Sequence, residues 1–411
     1  MNKAESIKWR FSSLSVFRGV LRRSVVNALY QLLCALDQPP RVFLERYGAF
    51  FSLLCERGCA DKLAYTLTEA ALFDENCFTL AAAGGKYREL PAEVLRAAQA
   101  DCETILDAAA LTADDVLDAY AYRDEIEAVT ASLPRWRTGA CAGSFAAYNG
   151  SLQQIAVWFR QNGCGIFARY RAFVWRNGDI RPVLHYDAID LDAFTGYERQ
   201  RDKVKANTLA FLQGKSCNNC LLYGDMGTGK SSTVKAMANA FRSQGLRIVE
   251  MPKEHLIDFP VLSDRLSALP LKFIVFIDDL SFQHQDQSYT ALKAVLEGGV
   301  AARPRNVLIY ATSNRRHMVK ERLSDRMGGV DDVHTRDNMQ ESLSLSDRFG
   351  LSVRYTIPDK EEFAEIVRSL AAQKGLDISD DALCAGAERF ALSRGGRSPR
   401  CAKQYVESLF C

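Results

Sequence analysis

The residues whose types and spacing could do chemistry begin with a glycine-rich stretch at 218–233, NNCLLYGDMGTGKSST. In this stretch, four residues separate Gly224 from the consecutive Gly229, Lys230 and Ser231. This spacing predicts a phosphate-binding P-loop between a strand and a helix. Backbone N–H groups at the start of that helix would bind phosphates, Lys230 would reach the β- and γ-phosphates, and Ser231 would bind Mg²⁺. The residues predicted to contact the nucleotide here are Gly224, Asp225, Met226, Gly227, Thr228, Gly229, Lys230, Ser231 and Ser232.

Two carboxylates follow an apolar run further along the chain. Residues 273–277 read FIVFI, which is continuously apolar and typical of a strand buried on both faces, and Asp278 and Asp279 come next. Beside a P-loop, this pattern predicts a Walker B site, in which Asp278 holds Mg²⁺ and Asp279 orients the attacking water. The alternative is that the two acids only cap the following helix.

Four further polar side chains lie beside predicted strands or in a predicted helix. Asn314 comes after the strand predicted at 307–311 and could share the attacking water. Near-identical hexapeptides, LSDRMG and LSDRFG, place Arg326 and Arg348 in a loop ahead of a strand predicted at 351–357. Arg400 lies in the first turn of a helix, where a cation is unfavourable with the helix dipole, so we expect it to contact an anion.

Composition limits the classes of protein that fit. The 411 residues are 48% hydrophobic and 25% charged, with a net charge of +2, which is typical of a soluble globular chain without a general attraction to nucleic acid. No apolar run is long enough for a membrane span. Twelve scattered cysteines favour reduced core thiols and a cytoplasmic location. Cys217 and Cys220 have the spacing of half a zinc site or a redox pair, and nothing completes four ligands.

The region before the P-loop carries no catalytic constellation. Residues 14 to about 160 read as helices with apolar stripes, such as Val20 to Leu33 and Val94 to Leu106. The basic first residues are transit-peptide-like in composition, although a basic amphipathic helix fits better. Residues 167–183 predict a type I′ hairpin around Asn177 and Gly178. Its arginines and aromatics could bind single-stranded nucleic acid, or they could belong to an ordinary hairpin.

Together, the P-loop, the two acids, the strand-end asparagine and the two arginines resemble the AAA+ ATPases. A narrower resemblance, over about residues 190–411, is to a bacterial family of predicted AAA+ ATPases catalogued as a domain of unknown function. The runs that carry it are GYERQ, NNCLLYGDMGTGKSS, PKE, FIDDLSF, LKAVLEGG, RPRNVLIYATSNRRH and SLSDRFGL. The DRFGL run and the C-terminal helices are also similar, more weakly, to replication initiators and helicase loaders.

The resemblance implies roles for particular residues. Asn314 would be sensor 1, Arg400 sensor 2, and Arg348 an arginine finger that acts on a neighbouring subunit of a homo-oligomer. ATP and Mg²⁺ would be the ligands. Many AAA+ proteins have Glu where this chain has Asp279, whose side chain is one methylene shorter, so we expect slow turnover.

The predicted fold is α/β: an AAA+ P-loop three-layer parallel sheet with a C-terminal helical lid, preceded by a mostly helical domain and a β-hairpin. The predicted division is a helical domain at 1–165, a hairpin and linker at 166–190, the nucleotide-binding domain at 191–357 and the lid at 358–411.

The predicted activity is ATP hydrolysis that drives remodelling or loading of an unidentified macromolecular client, and an unidentified protein is expected among the partners. A slow or non-hydrolysing ATP-dependent switch or adaptor is the alternative. The role of nucleic acid as a partner stays open. A GTPase is disfavoured because the chain has no N-K-x-D motif, and a transporter subunit is disfavoured because LEGGV at 296–300 lacks the serine of the signature motif.

Overall fold

The computed structural model describes residues 2–147, 151–187, 189–191, 194–280, 287–297, 304–314 and 347–410. The chain divides into two compact units. The first, here called the helical unit, comprises Met1–Arg169 and Leu269–Leu271; the second, here called the P-loop unit, comprises Tyr170–Ala268 and Lys272–Cys411. The finer division into four segments stays a prediction.

The helical unit consists of α-helices joined by short turns. Its helices are α1 (Lys3–Ser12), α2 (Ser24–Cys34), α3 (Pro40–Glu56), α4 (Leu63–Leu72), α5 (Cys77–Ala83), α6 (Ala92–Ala109), α7 (Ala113–Asp118), α8 (Glu127–Thr130), α9 (Leu152–Asn162) and α10 (Gly165–Arg169). Short 3-10 helices lie at Arg18–Arg22, Tyr87–Glu89, Arg123–Ile126 and Gly143–Ala147. Helix α2 packs on α3, α4 on α6 and α5 on α9. This packing buries most of the two predicted apolar stripes, so their assignment to the core is confirmed.

The basic residues of α1 are paired inside the helical unit. Helix α1 buries Ala4, Ile7 and Phe11. On its other sides, Lys3 Nζ lies 2.9 Å from Asp115 Oδ2, and Lys8 Nζ lies 3.1 Å from Asp37 Oδ2. The predicted basic amphipathic helix is therefore confirmed, and acids of the same unit neutralise part of its charge.

The P-loop unit contains a mixed sheet and the helices that cover it. Its strands are β1 (Ala172–Arg176), β2 (Asp179–Pro182), β3 (Cys220–Gly224), β4 (Leu246–Glu250), β5 (Lys272–Ile277), β6 (Val307–Ser313) and β7 (Leu351–Tyr355). The α-helices between these strands are α11 (Glu198–Leu212), α12 (Lys230–Ala240), α13 (Phe259–Ser267) and α14 (Gln287–Glu297), and 3-10 helices lie at Arg242–Gln244 and Lys253–Asp258. The described strands form a seven-stranded sheet in the order β2-β1-β4-β5-β6-β3-β7.

The sheet brings three strand ends to one edge. All neighbouring strands are parallel except β1 and β2. Strand β6 lies between β5 and β3, with Ile277 opposite Ala311 and Leu222 opposite Thr312. Because the carboxyl ends of parallel strands meet at the same edge, the chain segments that follow β3, β5 and β6 lie side by side. The predicted α/β fold with a parallel sheet is confirmed.

The hairpin belongs to the edge of this same sheet. Asn177 has φ 53° and Gly178 has φ 71°, as the predicted type I′ turn requires. Strand β1 also pairs in parallel with β4, so that Ala172 lies opposite Ile248. The predicted start of the first strand near Phe167 is wrong, because Gly165–Arg169 is helical.

The C-terminal residues form a small helical lid. Its helices are α15 (Lys360–Gln373), α16 (Asp380–Ser393) and α17 (Pro399–Ser408), which share a core of their own. The side chain of Asp359 caps α15 by accepting from the backbone of Glu361 and Glu362 at 2.9 Å. Gly375, at φ 68°, follows its last turn. The lid predicted from the sequence is therefore confirmed.

Candidate nucleotide-binding site

The P-loop joins β3 to α12, and its course depends on glycine. Gly224 has φ 129°, and a Cβ at this position would stand 1.9 Å from the carbonyl oxygen of Tyr355. Gly229 has φ 88° directly before α12. Residues other than glycine rarely adopt these φ angles. The same Tyr355 carbonyl accepts the Asp225 N–H at 2.9 Å, so β7 holds the start of the loop.

A cavity of about 710 Å³ lies at the carboxyl edge of the sheet. The predicted site residues that line it are Met226, Gly227, Thr228, Gly229, Lys230, Ser231, Ser232, Asp278, Asp279, Asn314 and Arg400. Gly224 and Asp225 are not among the described residues that line it. Asp225 Oδ2 instead accepts the backbone N–H of Ile357 at 2.8 Å, which ties the P-loop to the chain leaving β7.

Lys230 lies under the P-loop backbone. Its ammonium donates to the carbonyl oxygens of Gly224 at 2.9 Å and Asp225 at 2.6 Å, and to Asn314 Oδ1 at 3.1 Å. The residue is 6% exposed and lines the cavity. Burial lowers the pKa of Lys230, and the nearby carboxylates, with Asp225 foremost, partly oppose this. The ammonium remains at the cavity wall, where a phosphate oxygen could replace one of its acceptors.

Ser231 and Asp278 form the candidate magnesium site. Ser231 Oγ donates to Asp278 Oδ1 at 2.6 Å. A hydroxyl that donates its proton keeps two lone pairs, and Mg²⁺ prefers such oxygen ligands. Among the described residues, no group of three or more His, Cys, Asp or Glu could hold a metal. Two protein oxygens still fit Mg²⁺, which retains several waters and takes further oxygens from bound phosphates.

Asp279 and Asn314 meet at the ends of β5 and β6. Asn314 Nδ2 donates to Asp279 Oδ1 at 2.8 Å, while Asn314 Oδ1 accepts from Lys230. Asp279 has φ 50°, the left-handed region that Asp tolerates better than most residues. This backbone geometry directs the carboxylate toward Asn314. The asparagine thus links the second acid to the P-loop lysine.

The lid reaches the P-loop through the start of α17. The backbone N–H of Arg400 donates to the carbonyl oxygen of Gly227 at 3.2 Å. Gly227 has φ 78°, and a Cβ there would stand 2.9 Å from Ser398 Oγ. The Arg400 side chain is exposed and lines the cavity. An arginine at this place can meet an anion bound at the P-loop.

Sequence reasoning missed the apolar end of the cavity. The apolar side chains that line it are Ile189, Phe194, Tyr197, Ile366 and Leu370. Tyr197 stacks on Tyr355 with ring centroids 5.2 Å apart, and its hydroxyl donates to the carbonyl oxygen of Thr356 at 2.7 Å. The GYERQ run that starts at Gly196 was the signal, because it supplies Gly196 and Tyr197, which line the cavity. An apolar slot beside a phosphate site suits a flat nucleotide base.

Arg348 lies one turn before β7 and is half-buried. It is not among the described residues that line the cavity. Its proposed action on the ATP of a neighbouring subunit stays a prediction. Its sequence counterpart, Arg326, lies outside the described residues.

Two aromatic residues of the hairpin have no accessible ring face for base stacking. Phe173 and Trp175 are each 1% exposed, and Trp175 Nε1 donates to Asp258 Oδ2 at 3.0 Å. Stacking needs an accessible ring face, so these two residues cannot bind bases. The two cysteines differ in burial: Cys220 is buried in β3, and burial raises the pKa of its thiol, while Cys217 is half-buried in the preceding loop.

Comparison with known proteins identifies the family. The family described as "Protein of unknown function (DUF815)" matches residues 168–411, which is more than half of the chain. The chain belongs to this family. The match begins before the hairpin, so the DUF815 region includes β1 and β2 as well as the P-loop, the two acids and the lid. The predicted membership in this family is confirmed. Among curated proteins, none matches this DUF815 chain.

Solved structures with a similar fold include several AAA+ proteins. A point variant of RuvB from Thermotoga maritima is 18% identical over 53% of this chain and 63% of its own, with a TM-score of 0.38. AMPPCP-bound DnaA from Aquifex aeolicus is 16% identical over 54% and 65%, with a TM-score of 0.37. A DNA replication initiation factor is 15% identical over 56% and 66%, with a TM-score of 0.35. The chain thus spans less than two thirds of the length of these proteins, and the similarity concerns the fold alone.

No described helix is long and apolar enough to cross a membrane.

Proposed function

We propose that the P-loop unit binds ATP with Mg²⁺ and hydrolyses it to ADP and phosphate. The observation that carries this proposal is the convergence of Lys230, Ser231, Asp278, Asp279 and Asn314 on one cavity. An ammonium, a hydroxyl, two carboxylates and an amide can bind phosphates and Mg²⁺ and position a water for nucleotide hydrolysis. The apolar end of the cavity supports a nucleotide rather than a bare phosphate as the ligand.

The proposed mechanism assigns one task to each group. Lys230 would exchange a carbonyl acceptor for the oxygens of the β- and γ-phosphates. Ser231 and Asp278 would hold Mg²⁺, whose bound charge would stabilise the phosphate oxygens in the transition state.

Hydrolysis then requires a positioned water. Asp279 would accept a proton from this water while the water oxygen forms a bond to the γ-phosphorus. At the same time, the bond between the γ-phosphorus and the β,γ-bridging oxygen would break. Asn314, already bonded to the Asp279 carboxylate, would hold that acid and contact the water. Arg400 would contact the phosphates from the lid.

A slow ATP-dependent switch is the second candidate function. It is supported by Asp279 itself, whose short side chain is bonded to Asn314 at 2.8 Å. An acid held in this way reaches less far toward a water than a glutamate would. Assembly into a homo-oligomer, action on a protein client and a cytoplasmic location are further parts of the proposal, supported by the sequence resemblance.

Phosphate release from wild type and Asp279→Asn tests the proposal. The amide oxygen of Asn can still accept from Asn314 Nδ2, so the variant keeps the local geometry and loses only the base. We expect wild type to release phosphate in repeated turnovers, and the variant to lose turnover while its calorimetric affinity for ATP is unchanged. Wild type that binds ATP without turnover would favour the switch, and wild type without ATP binding would exclude both functions.

A further inference from the structure

Thr312 contacts both acids of the site, although it lies inside the sheet. It is the sixth residue of β6 and is 2% exposed. Its Oγ1 donates to Asp278 Oδ1 at 2.5 Å and accepts the backbone N–H of Asp279 at 2.9 Å. One hydroxyl therefore joins the carboxylate assigned to the metal and the backbone of the acid assigned to the water.

The hydroxyl has a definite orientation because both of its partners are fixed. Its single proton goes to Asp278, and a lone pair faces the Asp279 N–H, so it cannot rotate without losing one bond. As a β-branched residue in a strand, Thr312 also has a restricted χ1 angle. These constraints make it a rigid support for both acids.

The backbone around the acids is held by the same strand. The Leu280 N–H donates to the Thr312 carbonyl oxygen at 2.7 Å, and Ser313 Oγ donates to the Leu280 carbonyl oxygen at 2.8 Å. Between these contacts, Asp279 adopts φ 50°. A non-glycine residue in this region persists when its surroundings hold it there. Strand β6 is therefore what keeps the turn after β5 in its left-handed form.

We propose that Thr312 is a positioning residue for ATP hydrolysis. It fixes the distance and angle between Asp278 and Asp279, and so between the Mg²⁺ position and the acid that accepts the proton of the water. This inference rests on the proposed function and assigns to the site a residue that lines the cavity and acts through the two acids. Thr312 is not a P-loop, Walker B or strand-end sensor residue.

The test compares Thr312→Val, Thr312→Ala and Thr312→Ser with wild type. Valine keeps the shape and removes the hydroxyl, alanine also removes the branch, and serine keeps the hydroxyl. Thr208→Val is the matched control, because Thr208 is fully buried, bonds Val204 and Tyr310 through its hydroxyl, and contacts neither acid. The measurements are kcat and KM for phosphate release, calorimetric ATP affinity with magnesium and with EDTA, and the melting temperature.

We expect Val and Ala to lower kcat about tenfold to a hundredfold, as for a lost hydrogen bond to a charged group. Their ATP affinity in EDTA should equal that of wild type, and the gain in affinity on adding magnesium should shrink. Thr312→Ser should keep most of the wild-type kcat and the full gain in ATP affinity on adding magnesium. Thr208→Val should lower the melting temperature and leave kcat unchanged.

The outcomes separate this inference from the proposed function. If Thr312→Val and Thr312→Ala keep the turnover of wild type, this inference is overturned and the proposed function is not. A serine variant as slow as alanine, or an equal loss of kcat in Thr208→Val, would have the same consequence. Wild type without turnover would overturn the proposed hydrolysis, and the positioning role with it. If Thr312→Val fails to fold, the comparison of alanine with serine decides.

Discussion

The amide nitrogen of Asn314 lies 2.8 Å from Oδ1 of Asp279, so the ends of β5 and β6 share one hydrogen-bond network. Through Asn314 Oδ1 this network extends to Lys230 in the P-loop. The second acid is thus held within the site before any nucleotide arrives. The short reach of the Asp279 side chain and the left-handed conformation of its backbone both suit an aspartate at this position.

Replacing Asp279 with the longer acid should slow the enzyme. Asp279→Glu places a side chain that disfavours φ 50° in the left-handed turn and moves the carboxylate off Asn314. We expect kcat to fall about tenfold, the equivalent of a strain near 1 to 2 kcal/mol. Steady-state phosphate release at saturating ATP measures it. Faster turnover than wild type would mean that reach, rather than the bond to Asn314, limits the reaction.

Removing the P-loop lysine should abolish nucleotide binding and preserve the fold. Lys230→Ala removes the ammonium that would contact the phosphates, and we expect the affinity for Mg·ATP to fall about a hundredfold or more. Calorimetry with magnesium measures the affinity, and far-UV circular dichroism checks the fold. Unchanged affinity in a folded variant would exclude this loop as the phosphate site.

The contact between the lid and the P-loop can be tested by adding one methyl group at Gly227. In Gly227→Ala, the new Cβ would lie 2.9 Å from Ser398 Oγ and 3.3 Å from Arg400 Cβ, so the start of α17 must move away. We expect the affinity for ATP to fall by about 1 to 3 kcal/mol, the usual cost of overpacking.

Gly214→Ala is the control for this variant. Gly214 has φ 70°, close to the 78° of Gly227, but a Cβ there would meet nothing within 4 Å. Both variants should lose stability through the left-handed backbone, by about 1 kcal/mol. Only Gly227→Ala should weaken ATP binding. Equal ATP affinities in the two variants would show that the lid contact does not support the nucleotide site.

Arg348 should act on the ATP of a neighbouring subunit. Because it does not line the cavity of its own P-loop unit, we expect Arg348→Ala to bind ATP normally and to hydrolyse it about 10³ to 10⁵ times more slowly. Mixing Arg348→Ala with Lys230→Ala should restore part of the activity, since mixed assemblies contain interfaces with an intact P-loop and an intact arginine. A mixture that co-assembles and stays inactive would transfer the role to Arg326 or favour a monomeric enzyme.

The course of the P-loop could be predicted from the sequence because it is local. Gly224 to Ser231 are consecutive, and their conformation follows from glycine and from the start of α12. The two acids and Asn314 were also predictable, because an apolar run that ends in a polar residue marks the carboxyl end of a buried strand. Parallel strands then bring those ends together whatever the loops between them do.

The tertiary structure alone decided the remaining features. The apolar slot at Tyr197 and Ile366 combines residues far apart in the sequence, and apolar residues do not reveal which of them will face a cavity. The sequence could not show that Phe173 and Trp175 are buried. Alternation along a strand shows which residues share a face of the sheet, but not whether another element packs on that face. The role of Thr312 likewise depends on pairing: a threonine in a strand is ordinary until the register of β5 and β6 places its hydroxyl between two acids.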